Sequence, residues 1–346
     1  MGFKFGIIGA GIMSGRMADT VRQMKDVDLY AVAAREEERA KEFADQYGAE
    51  TFYGSYEALM EDEQVELIYI AVPNHLHYQV ARDCIRHGKP VLLEKPFTLN
   101  ENQAENLIRL SELNQVFLCE AMWVRFMPMM LRIRKELERE RIGEVISVTA
   151  DMGYDLREVE RLLRLDMGGG ALLDIGVYPL SFVLQILGNE IDNISTSVVH
   201  MNSGVDAQEL INLTFSNGAM AGFYVTMLAN TKKRAVIYGT EGRIEVEDIN
   251  CYSEYRIYDD KDQLIEETLK EPQISGLEYE VESCIHAIRN HKLECPEMTH
   301  YDTLFQMRVM DSVRRIWNMQ FPQEKEASSS YQPSPSPMGS STQSKM

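Results

Sequence analysis

The stretch Phe3-Lys4-Phe5-Gly6-Ile7-Ile8-Gly9-Ala10-Gly11-Ile12-Met13-Ser14 decides the fold. Its first six residues, rich in aromatic and β-branched side chains, predict a strand, and from Ile12 apolar residues recur at helical spacing to Met24. The turn between them carries two glycines one residue apart. In a strand-to-helix turn Gly9 permits the tight bend, and Gly11 lets backbone amides approach a pyrophosphate at the positive helix end, beside Ile12 and Met13. The third glycine of the usual fingerprint is replaced by the small Ser14.

The chain beyond repeats this alternation. Strand-like runs at 3–8, 29–34, 65–72, 91–94 and 116–120 are separated by helix-period segments at 12–24, 36–47, 56–61, 77–87 and 101–113. Asn100 with Gln103 reads as an N-cap and capping box. Alternation of this kind predicts a doubly wound parallel sheet over residues 1–122. After a charged helix at 129–141 the pattern turns to strands, at 145–151, 194–200, 209–215, 219–227, 235–238 and 243–247. Asn217-Gly218 predicts a two-residue hairpin turn, and Glu209, Ile211, Leu213 and Phe215 alternate with more mixed residues. The prediction for 123–322 is an α+β domain with a large open, mostly antiparallel sheet. Helices at 170–188, 278–290 and 301–318 would cover it, the last packing back on the first domain. Residues 323–346, rich in Ser, Pro and Gln, predict a disordered tail.

Composition narrows the function. The 346 residues carry 35 Lys plus Arg against 54 Asp plus Glu, a formal charge of -19, which opposes a nucleic-acid role. An anionic cofactor would need a local positive pocket. The sequence shows no apolar window of about 18 residues, so no membrane role is expected. Met1-Gly2-Phe3-Lys4 leads into a strand, not a signal-peptide apolar core, so a cytoplasmic protein is expected. The five cysteines (Cys84, Cys119, Cys251, Cys284, Cys295) lack Cys-x-x-Cys spacing and read as reduced thiols. His75-Leu76-His77 is the tightest metal-like pair but has no third or fourth ligand near it in sequence, so no metal is expected.

The second strand run ends Ala33-Ala34-Arg35, where an NAD site usually places a carboxylate for the ribose hydroxyls. A neutral Ala34, followed by Arg35 and by Arg39 one helical turn on, leaves room for a 2′-phosphate and supplies guanidinium partners. NADP is therefore expected over NAD. The opposing reading makes both arginines solvated, offset by Glu36, Glu37 and Glu38. Val72-Pro73-Asn74-His75 and Leu93-Glu94-Lys95-Pro96 close the third and fourth runs, where ligands of open α/β sheets bind, and a cis bond before Pro96 would fix the direction of Lys95. In Gly168-Gly169-Gly170-Ala171-Leu172-Leu173-Asp174-Ile175-Gly176-Val177-Tyr178, the glycines permit close backbone approach. Asp174 and Tyr178, four apart, share a helix face.

With these pieces in place, the chain resembles the Gfo/Idh/MocA oxidoreductase family over nearly all of residues 3–322. The matching segments are GIIGAGIMSGRMA (6–18), AVPNHLHYQVA (71–81), GKPVLLEKP (88–96), GGGALLDIGVYPL (168–180) and YGTEGRI (238–244). EAMWVRFMP (120–128), and Tyr178 where many members have His, are similar to the branch of dimeric dihydrodiol dehydrogenases and NADP-dependent D-xylose dehydrogenases. The resemblance implies that Lys95 lies beside the nicotinamide and the reacting oxygen, with Asp174 and Tyr178 converging there. It places Pro73, Asn74, His75 and Glu94 on the cofactor edge and Trp123 and Arg125 at the substrate mouth. The rival for that last pair is packing between domains. An isolated tyrosine, with a pKa of about 10, needs a neighbouring cation to act as a base, a role expected of Lys95. The expected reaction is hydride transfer between NADP and a CH–OH carbon of a sugar, polyol or trans-dihydrodiol, in a homodimer formed through the sheet. The alternatives are an NAD-linked inositol-type dehydrogenase, a non-catalytic NADP sensor and a scaffold.

Overall fold

Strand β1 (Phe3–Ile8) lies inside a parallel sheet because both of its faces are covered, and all but one of its residues are buried. In the computed structural model, which describes residues 2–324, the first sheet also holds β2 (Val27–Ala33), β3 (Thr51–Tyr53), β4 (Leu67–Ile70), β5 (Val91–Glu94) and β6 (Leu118–Ala121). Their order is β3-β2-β1-β4-β5-β6, with every pair parallel. Helices α1 (Ile12–Val21), α2 (Glu37–Tyr47), α3 (Tyr56–Glu61), α4 (His77–Arg86) and α5 (Glu101–Asn114) make the crossovers. Asn100 caps α5, accepting from the Gln103 amide at 2.9 Å, but the Gln103 side chain accepts from Leu99 N and not from Asn100 N. The strand order reverses between β1 and β4, which opens a crevice at their carboxyl ends.

Helix α6 (Pro128–Glu138) leads to the second sheet, of β7 (Val145–Gly153), β8 (Ile191–His200), β9 (Asp206–Phe215), β10 (Met220–Thr226), β11 (Ala235–Gly239), β12 (Gly242–Glu247), β13 (Glu254–Asp259) and β14 (Leu264–Leu269). Their order is β14-β13-β12-β11-β7-β10-β9-β8; β7 and β10 pair in parallel and the other neighbours are antiparallel. Three strands escape the sequence pattern. β3 is too short to show a period, while β13 and β14 carry charges on both faces, including an Arg256–Glu267 cross-strand bond of 2.8 Å. The predicted two-residue turn is a three-residue loop: Phe215 N donates to Ala219 O and Gly218 N to Phe215 O, and the Asn217 side chain accepts from Ala219 N.

The inward residues of β9 and β10, among them Ile211, Leu213, Phe215, Phe223 and Val225, are fully buried, and α7 (Val177–Leu187) packs on β10 and its neighbour β7. Each contributes roughly 1.5–3 kcal/mol by leaving water. The stretch Leu165–Leu187 is apolar enough to cross a bilayer, but 78% of its most apolar window is buried in this core. The outward face carries Ser147, Thr149, Asn212 and Gly222 between Leu210, Met220, Tyr224 and Tyr238. The apolar alternation of β9 therefore points into the protomer, and the opposite face of the sheet is the exposed one. Helices α8 (Glu278–Arg289) and α9 (His300–Ile316) follow. α9 lies on α5, where Arg308 bonds Glu101 at 2.7 Å and Asp311 accepts from the Glu101 amide at 2.8 Å. The chain stays ordered past the expected boundary at 322: Glu324 pairs with Arg314 at 2.9 Å and Gln323 donates to Asp166 O at 2.6 Å. The rest of the expected tail, 325–346, lies outside the described residues.

Candidate active site

The crevice begins at Gly9, whose φ of 108° suits glycine and where an added Cβ would stand 2.4 Å from Ala71 O. Helix α1 follows with no side-chain cap and no acidic residue in its first turn, so its leading amides face the crevice unpaired. A Cβ on Gly11 would meet only open space, Ile12 is 87% exposed with Met13 behind it, and the buried Ser14 hydroxyl lacks a hydrogen-bond partner. This uncapped, cradle-shaped helix start fits a dinucleotide pyrophosphate. The close packing of α1 on α2 belongs to Gly15, where a Cβ would lie 2.4 Å from the Tyr47 hydroxyl oxygen.

Ala34 follows β2 with its amide on Tyr53 O, so the strand-end position where an NAD site usually carries an acid holds an alanine. Arg35 is exposed and borders a groove of about 540 Å³ whose lining mixes the apolar Tyr56, Met60, Leu76 and Val80 with Glu57, Asp83 and Arg86. Arg39 donates to Ala10 O at 3.2 Å, beside the glycine turn. Among the described residues neither guanidinium is ion-paired, so Glu36, Glu37 and Glu38 do not offset them by contact.

At the ends of β4 and β5 the chain builds a buried brace. After Pro73, the Asn74 side chain donates to Gly168 O at 3.0 Å, tying the crevice to the glycine-rich turn. His75 keeps Nδ1 buried and unpartnered, and burial holds its pKa down. His77 does not cap α4. Its Nδ1 lies 2.8 Å from Pro96 O and its Nε2 2.8 Å from Val72 O; burial drives its pKa down to about 4, and the neutral ring donates to one of these carbonyls. Glu94 also departs from expectation: its carboxylate turns inward, accepting from the Tyr69 hydroxyl and, at 3.1 Å, from Lys95 N. It braces the backbone beneath Lys95 and does not line the groove.

The Lys95–Pro96 bond is cis, and Lys95 Nζ lies 2.6 Å from Asp174 O, 3.5 Å from Asp174 Oδ1 and 5.1 Å from the Tyr178 ring centre. Asp174 does not sit in a regular α-helix. Residues Leu172–Gly176 form a π-helical turn that runs into α7, and Asp206 holds its start by accepting from Leu172 N at 2.6 Å. Asp174 also takes Arg161 at 3.0 Å, a partner without a sequence signal, since Arg161 stands in an ordinary charged run. Burial opposes charge at all three groups. At Asp174 the cations Lys95 and Arg161 prevail and hold the carboxyl below its usual range; at Lys95 the surrounding Asp174, Tyr178 and Glu94 prevail and raise its pKa. Tyr178 differs from expectation. Burial raises its pKa, Glu94 and Asp174 add to the rise, and the opposing pull of Lys95 does not cancel them. The phenol is therefore protonated at neutral pH.

Trp123 stands at this rim: its side chain favours the ionised form of Tyr178, and Arg16 lies over its ring at 6.0 Å. Arg125 does not. It is 6% exposed, donates to Glu297 O at 2.7 Å and pairs with Asp302 at 3.2 Å, so its guanidinium is held by the start of α9 and the loop before it and is withdrawn from the substrate mouth. Sequence reading also missed a meeting of Cys119, Cys284 and Cys295, which are far apart in the chain.

A pyrophosphate cradle at a topological switch point, facing a buried lysine, carboxylate and phenol, defines a nicotinamide-dependent oxidoreductase. The chain belongs to the Gfo/Idh/MocA oxidoreductase family. Residues 3–121 match the oxidoreductase family with the NAD-binding Rossmann fold, and residues 130–245 match the GFO/IDH/MocA C-terminal domain. The trans-1,2-dihydrobenzene-1,2-diol dehydrogenases of Danio rerio and Xenopus tropicalis are 32% and 31% identical, over 94% and 93% of this chain and the whole of theirs. Among solved structures, KijD10, a 3-ketoreductase from Actinomadura kijaniata in complex with NADP and TDP-benzene, is similar with a TM-score of 0.82 and 25% identity, over 91% of this chain and 98% of its own.

Proposed function

We propose that this protein is an NADP(H)-dependent dehydrogenase acting on the CH–OH carbon of a sugar, polyol or trans-dihydrodiol. The observation that carries the reading is the Lys95 ammonium lodged between Asp174 and the Tyr178 ring, just past the carboxyl end of β5. The relatives named as dihydrodiol dehydrogenases and the 3-ketoreductase complex support the substrate class. Arg35 and Arg39, free of carboxylate partners beside a β2 end without an acid, support the 2′-phosphate.

Bound nicotinamide supplies or takes up the hydride. In the reducing direction Tyr178, kept protonated by burial, donates its hydroxyl proton to the oxygen that was the carbonyl. Lys95, held as a cation, stabilises negative charge developing on that oxygen. Asp174 orients Lys95 and, through its remaining oxygen, a substrate hydroxyl. In the oxidising direction Tyr178 first gives up its phenol proton to solvent, a loss that the field of Lys95 favours, and the phenolate then takes the substrate's hydroxyl proton. Trp123 gives a flat apolar wall to a ring. The protein is further proposed to form a homodimer across the outward face of the eight-stranded sheet, which no helix among the described residues covers.

The test is a turnover screen following reduced nicotinamide absorbance, with NADP and NAD separately, against aldoses, inositols and trans-dihydrodiols. NADP-linked turnover on an aldose or dihydrodiol is the expected result. Turnover with NAD alone would remove the Arg35 argument, and tight NADPH binding without any turnover would leave a sensor. Light scattering at the mass of one protomer would contradict the dimer.

A further inference from the structure

Cys119 lies in β6, Cys284 in α8, and Cys295 in the loop that leads to α9. Their sulfur atoms all lie within 4.8 Å of one another, and all three thiols are buried. The Cys284 and Cys295 sulfurs are 3.7 Å apart. Two thiolates on a tetrahedral zinc ion, each at about 2.3 Å, stand about 3.8 Å from each other, so this spacing is that of a metal-site edge. None of the three takes part in the chemistry at Lys95.

A second observation points the same way. Glu280 stands one helical turn before Cys284 on the same face of α8, is 0% exposed, and has no hydrogen-bond partner on either carboxylate oxygen. Its charge bears on both Cys119 and Cys295. A fully buried carboxylate left without a partner is costly, and metal ligation would supply one.

We propose that Cys119, Cys284 and Cys295 bind one zinc ion, and that the Glu280 carboxylate, one helical turn from Cys284 but outside the 4.8 Å cluster of sulfurs, is drawn in as fourth ligand. Three soft sulfur donors select a thiophilic ion, and a closed four-coordinate set shut away from solvent is structural, not catalytic. Binding releases the thiol protons. The ion fastens the late chain to the edge of the first sheet, where Leu118 N already donates to Leu293 O at 2.9 Å and His300 Nε2 lies 2.9 Å from Leu118 O. Since β6 runs directly into the turn carrying Trp123, the same staple steadies one wall of the active site.

The experiment measures zinc in the full-length protein purified from zinc-supplemented culture without chelator, by elemental analysis and native mass spectrometry. One zinc per chain is expected. Cys119→Ser and Cys295→Ser should lose most of it, Glu280→Gln should lose it faster to a chelator, and Cys84→Ser, a buried thiol in α4, should keep it. Stripping should lower the melting temperature of the wild type, and zinc should restore it. Should the cysteine variants fail to fold, the wild-type zinc content and the thiolate-to-metal absorption of a cobalt-substituted wild type decide the matter. A wild type with little zinc and three titratable thiols, a Cys284–Cys295 disulfide in a peptide map, or equal zinc loss in Cys84→Ser would each overturn the proposal.

Discussion

Lys95 Nζ donates to the backbone oxygen of Asp174 at 2.6 Å while its charge faces the same residue's carboxylate at 3.5 Å, so one residue of the π-helical turn holds the ammonium twice. The backbone contact survives loss of the Asp174 side chain. Positioning and charge are thereby separable: Asp174→Asn should keep Lys95 in place yet remove the anion that raises its pKa.

Tyr178→Phe removes the proton path and leaves the ring against Lys95. Turnover should fall by roughly 100- to 10,000-fold, the usual contribution of a positioned acid, while NADPH affinity changes little. Lys95→Ala should fall at least as far. Because Tyr178 has its pKa raised and Lys95 is held cationic, neither group titrates near neutrality. The rate profile of carbonyl reduction should be flat across neutral pH and decline only on the alkaline side. A wild-type rate in Tyr178→Phe, from steady-state kinetics, would remove the phenol from the mechanism.

Cofactor choice rests on Arg35. Arg35→Ala deletes a charge-assisted contact to a 2′-phosphate, so KM for NADPH should rise roughly 10- to 100-fold with little change for NADH. Arg39→Ala should do less, since that guanidinium is already engaged with Ala10 O. Equal effects on the two cofactors, measured side by side, would show that Arg35 does not read the phosphate.

The first sheet was legible because β1, β2, β4, β5 and β6 are buried on both faces and read as apolar runs punctuated by glycine turns. Lys95, Asp174 and Tyr178 were legible through local motifs. What sequence hid was contact between remote segments: Arg161 on Asp174, and Cys119 beside Cys284 and Cys295. Arg125 was misread for the same reason. A strand-end position suggests a ligand, but its long side chain reaches Asp302 at the start of α9. The π-helical turn was hidden too, because it depends on Asp206, a strand residue more than thirty positions away.

Gly170 makes that dependence testable. Its φ is 116°, and an added Cβ would stand 2.1 Å from Asp206 Oδ1, the carboxylate that holds the turn through its other oxygen. Gly170→Ala should cost about 1–3 kcal/mol in stability by denaturant unfolding, from backbone strain and displacement of Asp206. It should also depress turnover, because Asp174 stands at the centre of the same turn. Unchanged stability with unchanged kinetics would show that the turn accommodates the methyl group.

His77 predicts the acid limit of the fold. Burial lowers its pKa from 6.5 to about 4, despite flanking carbonyls of Val72 and Pro96 that favour the charged ring. Between those two values the unfolded chain takes up a proton that the folded chain refuses. The unfolded state therefore binds more protons, and stability falls as pH drops through 6.5, with the loss complete below about 4. The full difference is on the order of 3 kcal/mol for a group this deeply buried. In His77→Asn, which keeps a donor toward one carbonyl, the slope of unfolding free energy against pH over that window should shrink, although the variant is less stable at neutral pH. Urea midpoints of wild type and variant across the window measure it; parallel slopes would mean that other groups set the acid sensitivity.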